Sequence, residues 1–218
     1  MKSAIEAGVD VYALVTTDGG MGYCHMEQEK TIGKIRQEET IESFKIMGLD
    51  DDHIFFADFP DCDTTSFVGR REAKAGDPAI EGYTGLQNAF TYYLRKVKPT
   101  RIFLPTGEDL HPDHKIVYQE VLISMFHAGG NIWPELGGPH EPPMAYEFGV
   151  YCDFAEAPNL KFEADEDVFQ RKLDAILAYK SQEQIASLVE GVKAGGPIEY
   201  IREIEFRFYS VNNYKDLF

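Results

Sequence analysis

Cysteine is scarce in this chain: Cys24, Cys62 and Cys152 are three in number, far apart, and form no CxxC pair. That pattern excludes a zinc ribbon, a dithiol redox motif and a disulfide-stapled small fold, and it fits a reducing, cytoplasmic compartment. Long apolar runs are lacking too. No stretch approaches the roughly 18 residues that a membrane-spanning helix needs, and Lys2, Glu6 and Asp10 interrupt the opening segment where a signal peptide would carry its apolar centre. Cations are in the minority, with Lys and Arg totalling 21 against 37 Asp and Glu, a formal charge of −16. Such a surface repels phosphate backbones and anionic headgroups, so no nucleic acid and no membrane surface is expected as a partner. The acidic balance names no ligand, because a solvated negative face also serves solubility. Internal repeats, low-complexity tracts and linkers are missing as well. The 218 residues suffice for one α/β domain, residues 1–218, with a sizeable core, and are too few for two large domains.

What is present is an alternation of short hydrophobic runs with helix-period segments, the pattern of a mostly parallel sheet covered by helices. Strands are expected at 9–17 (VDVYALVTT), 53–57, 100–105 (TRIFLP), 146–154 and 204–211. Helices are expected at 31–47, with Gly48 as the stop, and at 86–97, 112–126, 167–179 and 183–194. Residues 58–82 read as a long loop, and 129–145, which holds the single tryptophan Trp133, reads as irregular chain suited to a lid or a sugar platform.

The sharpest local signal is His111-Pro112-Asp113-His114, directly after the strand TRIFLP and the loop TGEDL. Pro112 suits the first helical position, where its missing N–H costs nothing, and Asp113 falls in the first turn, where the helix dipole favours negative charge. Histidines three apart across a helix start can face one crevice at the carboxyl ends of the strands, where open α/β folds bind ligands. Two imidazoles and a carboxylate there suit either a divalent metal or proton transfer. Capping and surface polarity account for the same four residues, and the motif alone does not choose between these readings.

A series of further markers does bear on the choice. TTDGG at 16–20, Arg36-Gln37-Glu38-Glu39, MGL at 47–49, DFPD at 58–61, KPTRIFLP, LHPDH and YKSQ at 179–182 follow one another in an order and spacing that resembles the PIG-L/LmbE deacetylases across nearly the whole chain. The resemblance implies a Rossmann-like, mostly parallel sheet flanked by helices. It implies an enzyme that binds zinc, or another divalent metal such as iron or cobalt, and removes an N-acetyl group from a small amino sugar or glycoconjugate. It also implies His114 as a metal ligand and His111 as the group that polarises the amide carbonyl or protonates the amine, with Asp113 tuning His111. Arg36 and Asp61 match the substrate side of the family's pocket; an exposed helix arginine and a turn aspartate are their plain readings. Glu39, Ser181 and Gln182 are expected to brace the fold.

One family signature is not in this sequence: an Ala-His-Pro-Asp-Asp run just after the first strand, which brings a second histidine and an aspartate to the metal together with the general-base aspartate. The resemblance therefore implies a chain that lacks the first, central strand, is N-terminally incomplete, and opens at Ala4, Ile5 and Ala7 inside the helix that follows. Three expectations stand side by side. The complete form is an ordinary zinc deacetylase; or the chain is a non-catalytic sugar- or partner-binding protein with an incomplete metal site; or the site is completed from elsewhere, with homo-oligomerisation covering open sheet edges. On the first two, bound metal can be absent from this chain. By chain position, Asp18, His25, Asp109 and His140 are the nearest substitutes for the missing ligands.

Overall fold

Residues 1–205, 209–215 and 217 are described in a computed structural model of the chain. After a short α1 (Lys2–Glu6), the apolar run ALVTT forms β1 (Ala13–Thr17). Next comes α2 (Ile32–Ile46), which stops where Gly48 takes a φ of +95°, a conformation that strains any residue with a Cβ. β2 (Ile54–Phe59) runs parallel to β1 from Ala13 opposite Ile54, with an irregularity that brings Thr17 beside Phe59. A parallel pair joined through a helix is the βαβ unit that the alternation predicts.

Residues 58–82 are more structured than the expected loop. They contain a helical turn at Thr64–Phe67 and then β3 (Arg71–Glu72), which pairs antiparallel with β4 (Tyr83–Thr84). α3 (Leu86–Val97) leads to β5 (Arg101–Pro105), α4 (Pro112–Gly129) and β6 (Met144–Phe148), the last parallel to β5. β7 (Leu160–Glu163), α5 (Glu166–Leu177), α6 (Ile185–Gly195) and β8 (Ile198–Ile204) complete the order β5-β6-β8-β7, with β8 antiparallel to both neighbours. The α/β class and the flanking helices are as expected, and the antiparallel pairs sit at the C-terminal side. The strand expected over 146–154 stops at Phe148, and the one expected over 204–211 falls partly on 206–208, outside the described residues.

The core explains why two separate ladders make one body. Phe59 of β2, Leu104 of β5, Leu86, Ala89 and Phe90 of α3 and Val121 of α4 form one buried cluster, against which Leu14 of β1 and Ile102 of β5 pack. Each of the buried Phe, Leu and Val side chains contributes about 1.5–3 kcal/mol by leaving water. Among the described residues β1 pairs with β2 alone and β5 with β6 alone, so each keeps one strand edge without a partner.

Between α4 and β6 the chain makes a helical turn at Pro134–Leu136, and its part up to Gly137 is tied to α3. Arg95 of α3, only 3% exposed, donates to the carbonyls of His127, Ala128, Gly130, Trp133 and Gly137 at 2.8–3.3 Å. Trp133 lies under the Arg70 guanidinium at 4.6 Å and meets His127 edge-on, so its ring is spent on packing.

Candidate active site at the start of α4

The loops that leave the carboxyl ends of β1 and β2 are laced together. Asp18 donates its N–H to Phe59 O, and its Oδ1 accepts from the N–H groups of Gly20 and Asp61 at 2.9 and 3.1 Å. Asp61 Oδ2 accepts from Met21 N at 3.2 Å. Arg36 reaches across from α2 beneath Gly19 and Gly22, where any side chain on Gly22 would collide with the guanidinium, and it stacks 5.6 Å over Tyr179. Behind it, Ser181 donates its N–H and hydroxyl to Glu39 at 2.7 Å each, and Gln182 donates to Gly22 O at 2.9 Å.

The start of α4 faces these loops. His111 is the N-cap, its Nδ1 accepting the N–H of Asp113 at 3.3 Å, with Pro112 in the first helical position. The Asp113 carboxylate turns away from solvent and accepts Cys62 N at 2.8 Å, Thr64 Oγ1 at 2.6 Å and Thr64 N at 3.4 Å, which fastens the helix to the loop after β2. His111 and His114 have ring centres 4.8 Å apart, and Tyr151 lies parallel to His114 at 5.6 Å. Arg36, Asp61, His111, Asp113 and His114 all line one crevice of about 720 Å³, so the sequence-predicted residues converge. Asp18 lines it too. His25 instead meets Glu183 at 3.2 Å on the surface, and His140 is bound to Pro99 O at 3.0 Å, both away from the crevice.

Three residues carry more than the sequence reading gave them. Asp109 is fully buried, accepts the N–H groups of His111 at 2.9 Å and Tyr151 at 3.1 Å, and places Oδ2 3.3 Å from His114 Nδ1. Burial pushes its carboxyl up, but the two N–H groups and the His114 imidazole together outweigh that and hold it below the ordinary carboxylate value. The signal was legible: an aspartate two residues before His111 is the spacing of a side chain that accepts the N–H two positions on. Cys62 and Tyr151 gave no such signal. Cys62 sits in the left-handed region at φ 63°, and burial, followed by the charges of Asp61 and Asp113, pushes its thiol up.

The family profile described as PIG-L: GlcNAc-PI de-N-acetylase matches residues 1–125, more than half of the chain. The chain belongs to the PIG-L family. Among solved structures it resembles the N,N′-diacetylchitobiose deacetylase of Pyrococcus horikoshii in its inhibitor complex, at 20% identity and a TM-score of 0.71, covering all of this chain and 81% of that one. It resembles the 4-carboxy-2-hydroxymuconate hydratase GalB of Pseudomonas putida KT2440 at 16% identity and a TM-score of 0.70, covering 96% of this chain and 90% of that one. A pseudoaglycone deacetylase of an antimicrobial reagent is similar at 15% identity and a TM-score of 0.64, with coverage of 95% and 90%. These likenesses show the fold; a hydratase and two deacetylases share it, so the chemistry has to be argued from the site.

Cys62, His111 and Asp113 offer ligand atoms within 4.8 Å of one another, and a metal ion can be held there. Thiol, imidazole and carboxylate are donors that zinc accepts. The cluster has competing commitments: Asp113 already accepts three hydrogen bonds, and His111 Nδ1 accepts a backbone N–H. His114 is not part of that group, but its ring also lines the crevice. The donor set therefore fits a divalent ion at this end of the crevice.

Proposed function

We propose that the crevice at the start of α4 hydrolyses the N-acetyl group of a small amino sugar or glycoconjugate in a metal-dependent reaction, with zinc as the first candidate. The observation that carries this reading is the pair His111 and His114, 4.8 Å apart at the strand ends in a chain of the PIG-L family. The metal would be held by His114 together with Cys62 and Asp113 of the neighbouring cluster, His111 being kept free as a donor; when bound it would lower the pKa of water towards neutrality. In the reaction the amide C–N bond breaks, water supplies hydroxyl to the acetyl carbon, and the amine leaves with a proton. His111, with Nδ1 occupied by the Asp113 N–H, presents Nε2–H as a hydrogen-bond donor to the developing oxyanion, and the proton that the attacking water gives up ends on the leaving amine. Asp113 fixes that ring through its backbone while its carboxylate anchors the facing loop. Arg36 and Asp61 are suited to sugar hydroxyls, a fork of donors and a carboxylate acceptor lining the same crevice. Three free cysteines agree with a cytoplasmic setting, and no described helix is long and apolar enough to cross a membrane. Among the described residues β1 and β5 each keep an unpaired edge, which favours self-association.

A second reading, sugar binding without turnover, draws on the fact that no three-ligand group among the described residues includes His114. Metal content of chain purified without chelator, followed by sugar binding with and without chelator, separates the two. About one zinc per chain with chelator-sensitive function supports the hydrolase; no metal with saturable, chelator-insensitive sugar binding supports the binding protein.

A further inference from the structure

The rings of His111 and His114 are neighbours, yet their Nδ1 atoms face groups of opposite character. His111 Nδ1 faces a donor, the N–H of Asp113 at 3.3 Å, so the proton of the neutral ring belongs on Nε2. His114 Nδ1 is shut off from solvent and makes no well-aligned hydrogen bond, but it stands 3.3 Å from Asp109 Oδ2, a distance that a slight ring rotation turns into one. Asp109 cannot move away to oblige a different arrangement. It is fully buried, and the N–H groups of His111 and Tyr151 hold its two oxygens from opposite sides. Both oxygens already accept backbone N–H groups, so Oδ2 meets His114 Nδ1 as an acceptor.

We propose that Asp109 is a positioning residue that holds His114 in the Nδ1–H tautomer and so turns its Nε2 lone pair into the crevice, while the start of α4 holds His111 in the opposite tautomer. One buried carboxylate and one backbone N–H thereby sort two similar side chains into an acceptor and a donor. The inference deepens the deacetylase reading, on which it rests only for the use made of the two nitrogens: a lone pair is what a metal takes, and an N–H is what a developing oxyanion needs. The motif His-Pro-Asp-His does not contain this information; it comes from the loop residue two positions upstream and from the strand exit at Tyr151.

The test is a long-range proton–nitrogen correlation spectrum of the metal-free chain, labelled with ¹⁵N at its 6 histidines and held at a pH where the rings are neutral. His111→Gln and His114→Gln assign the two signals. The expected result is Nε2–H for His111 and Nδ1–H for His114; Nε2–H at His114 overturns the proposal. Asp109→Ala adds a second arm, because with no acceptor facing Nδ1 the His114 ring is released from the Nδ1–H form. In that folded variant affinity for Zn²⁺ or Co²⁺ falls by about 10- to 100-fold, whereas an unchanged His114 signal there also overturns it. If Asp109→Ala does not fold, the wild-type spectrum decides alone. An inactive chain with the expected tautomers would defeat the deacetylase reading and leave this inference standing; an active one with Nε2–H at His114 would do the reverse.

Discussion

The two ends of α4 each carry histidine beside aromatic rings, and they do opposite things. At the N-terminal end, His111 and His114 line an open crevice, with Tyr151 stacked alongside and buried carboxylates fixing the backbone behind them. At the C-terminal end, His127 meets Trp133 edge-on while Arg95 donates to five carbonyls, two in the last turn of α4 and three in the adjoining loop. Helix polarity does part of the sorting, since the first turn offers free N–H groups to carboxylates and the last turn offers carbonyls to a cation. Burial does the rest. Polar groups turned inward and satisfied give rigidity, and polar groups held at a strand end facing water give chemistry.

This contrast predicts that substitutions at one end change turnover and those at the other change stability. The largest expected effect is on rate: His111→Ala in an active preparation lowers kcat by about 10³-fold while bound metal and melting temperature stay near wild type. Loss of metal in that variant would show that His111 is a ligand. Arg95→Ala at the opposite end leaves the Gly130 and Gly137 carbonyls without their side-chain donor and weakens the ties to His127, Ala128 and Trp133; it should cost about 3 kcal/mol in urea unfolding, with KM unchanged in whatever protein remains folded. Asp113→Asn sharpens the comparison because its carboxylate is a structural tie inside the active end. With an N–H placed against Cys62 N, it should cost about 2 kcal/mol and lower activity as well. The smallest effect concerns pH. Burial, aided by Arg95 and opposed by Glu120, holds the His127 pKa below its usual 6.5. Its contribution to stability is therefore fully present above the unfolded-state value and is lost as pH falls through the depressed folded value. Trp133 is the single tryptophan, so its emission reports this step, and His127→Gln should abolish that acid limb.

Much of the site was legible because its residues are tied to local rules. A proline and an acid at a helix start, histidines three apart and a strand just before them placed His111, Asp113 and His114 on one crevice wall without any tertiary knowledge. Arg36 and Asp61 reached the same crevice through the family resemblance. What escaped depended on contacts distant in sequence. Tyr151 reaches His114 only because β6 ends at Phe148, earlier than its apolar run suggests, and turns over the helix start. Trp133 looked like a platform by composition; one of the groups that occupies it, Arg70, comes from a distant part of the chain. The pairing of β7 with β8 escaped for another reason: Leu160–Glu163 is short and exposed along its length, so it carries no burial pattern.

The central claim is that the outward-facing end of α4 removes acetyl groups, and the most direct measurement is acetate release. Purified chain supplied with zinc is incubated with N-acetylated amino sugars and conjugates, and acetate and free amine are quantified together, with His111→Ala in parallel. The account predicts equal amounts of acetate and amine from at least one substrate, lost on adding chelator and lost in the variant. Saturable binding of the same sugars to a zinc-loaded chain that releases no acetate would contradict it.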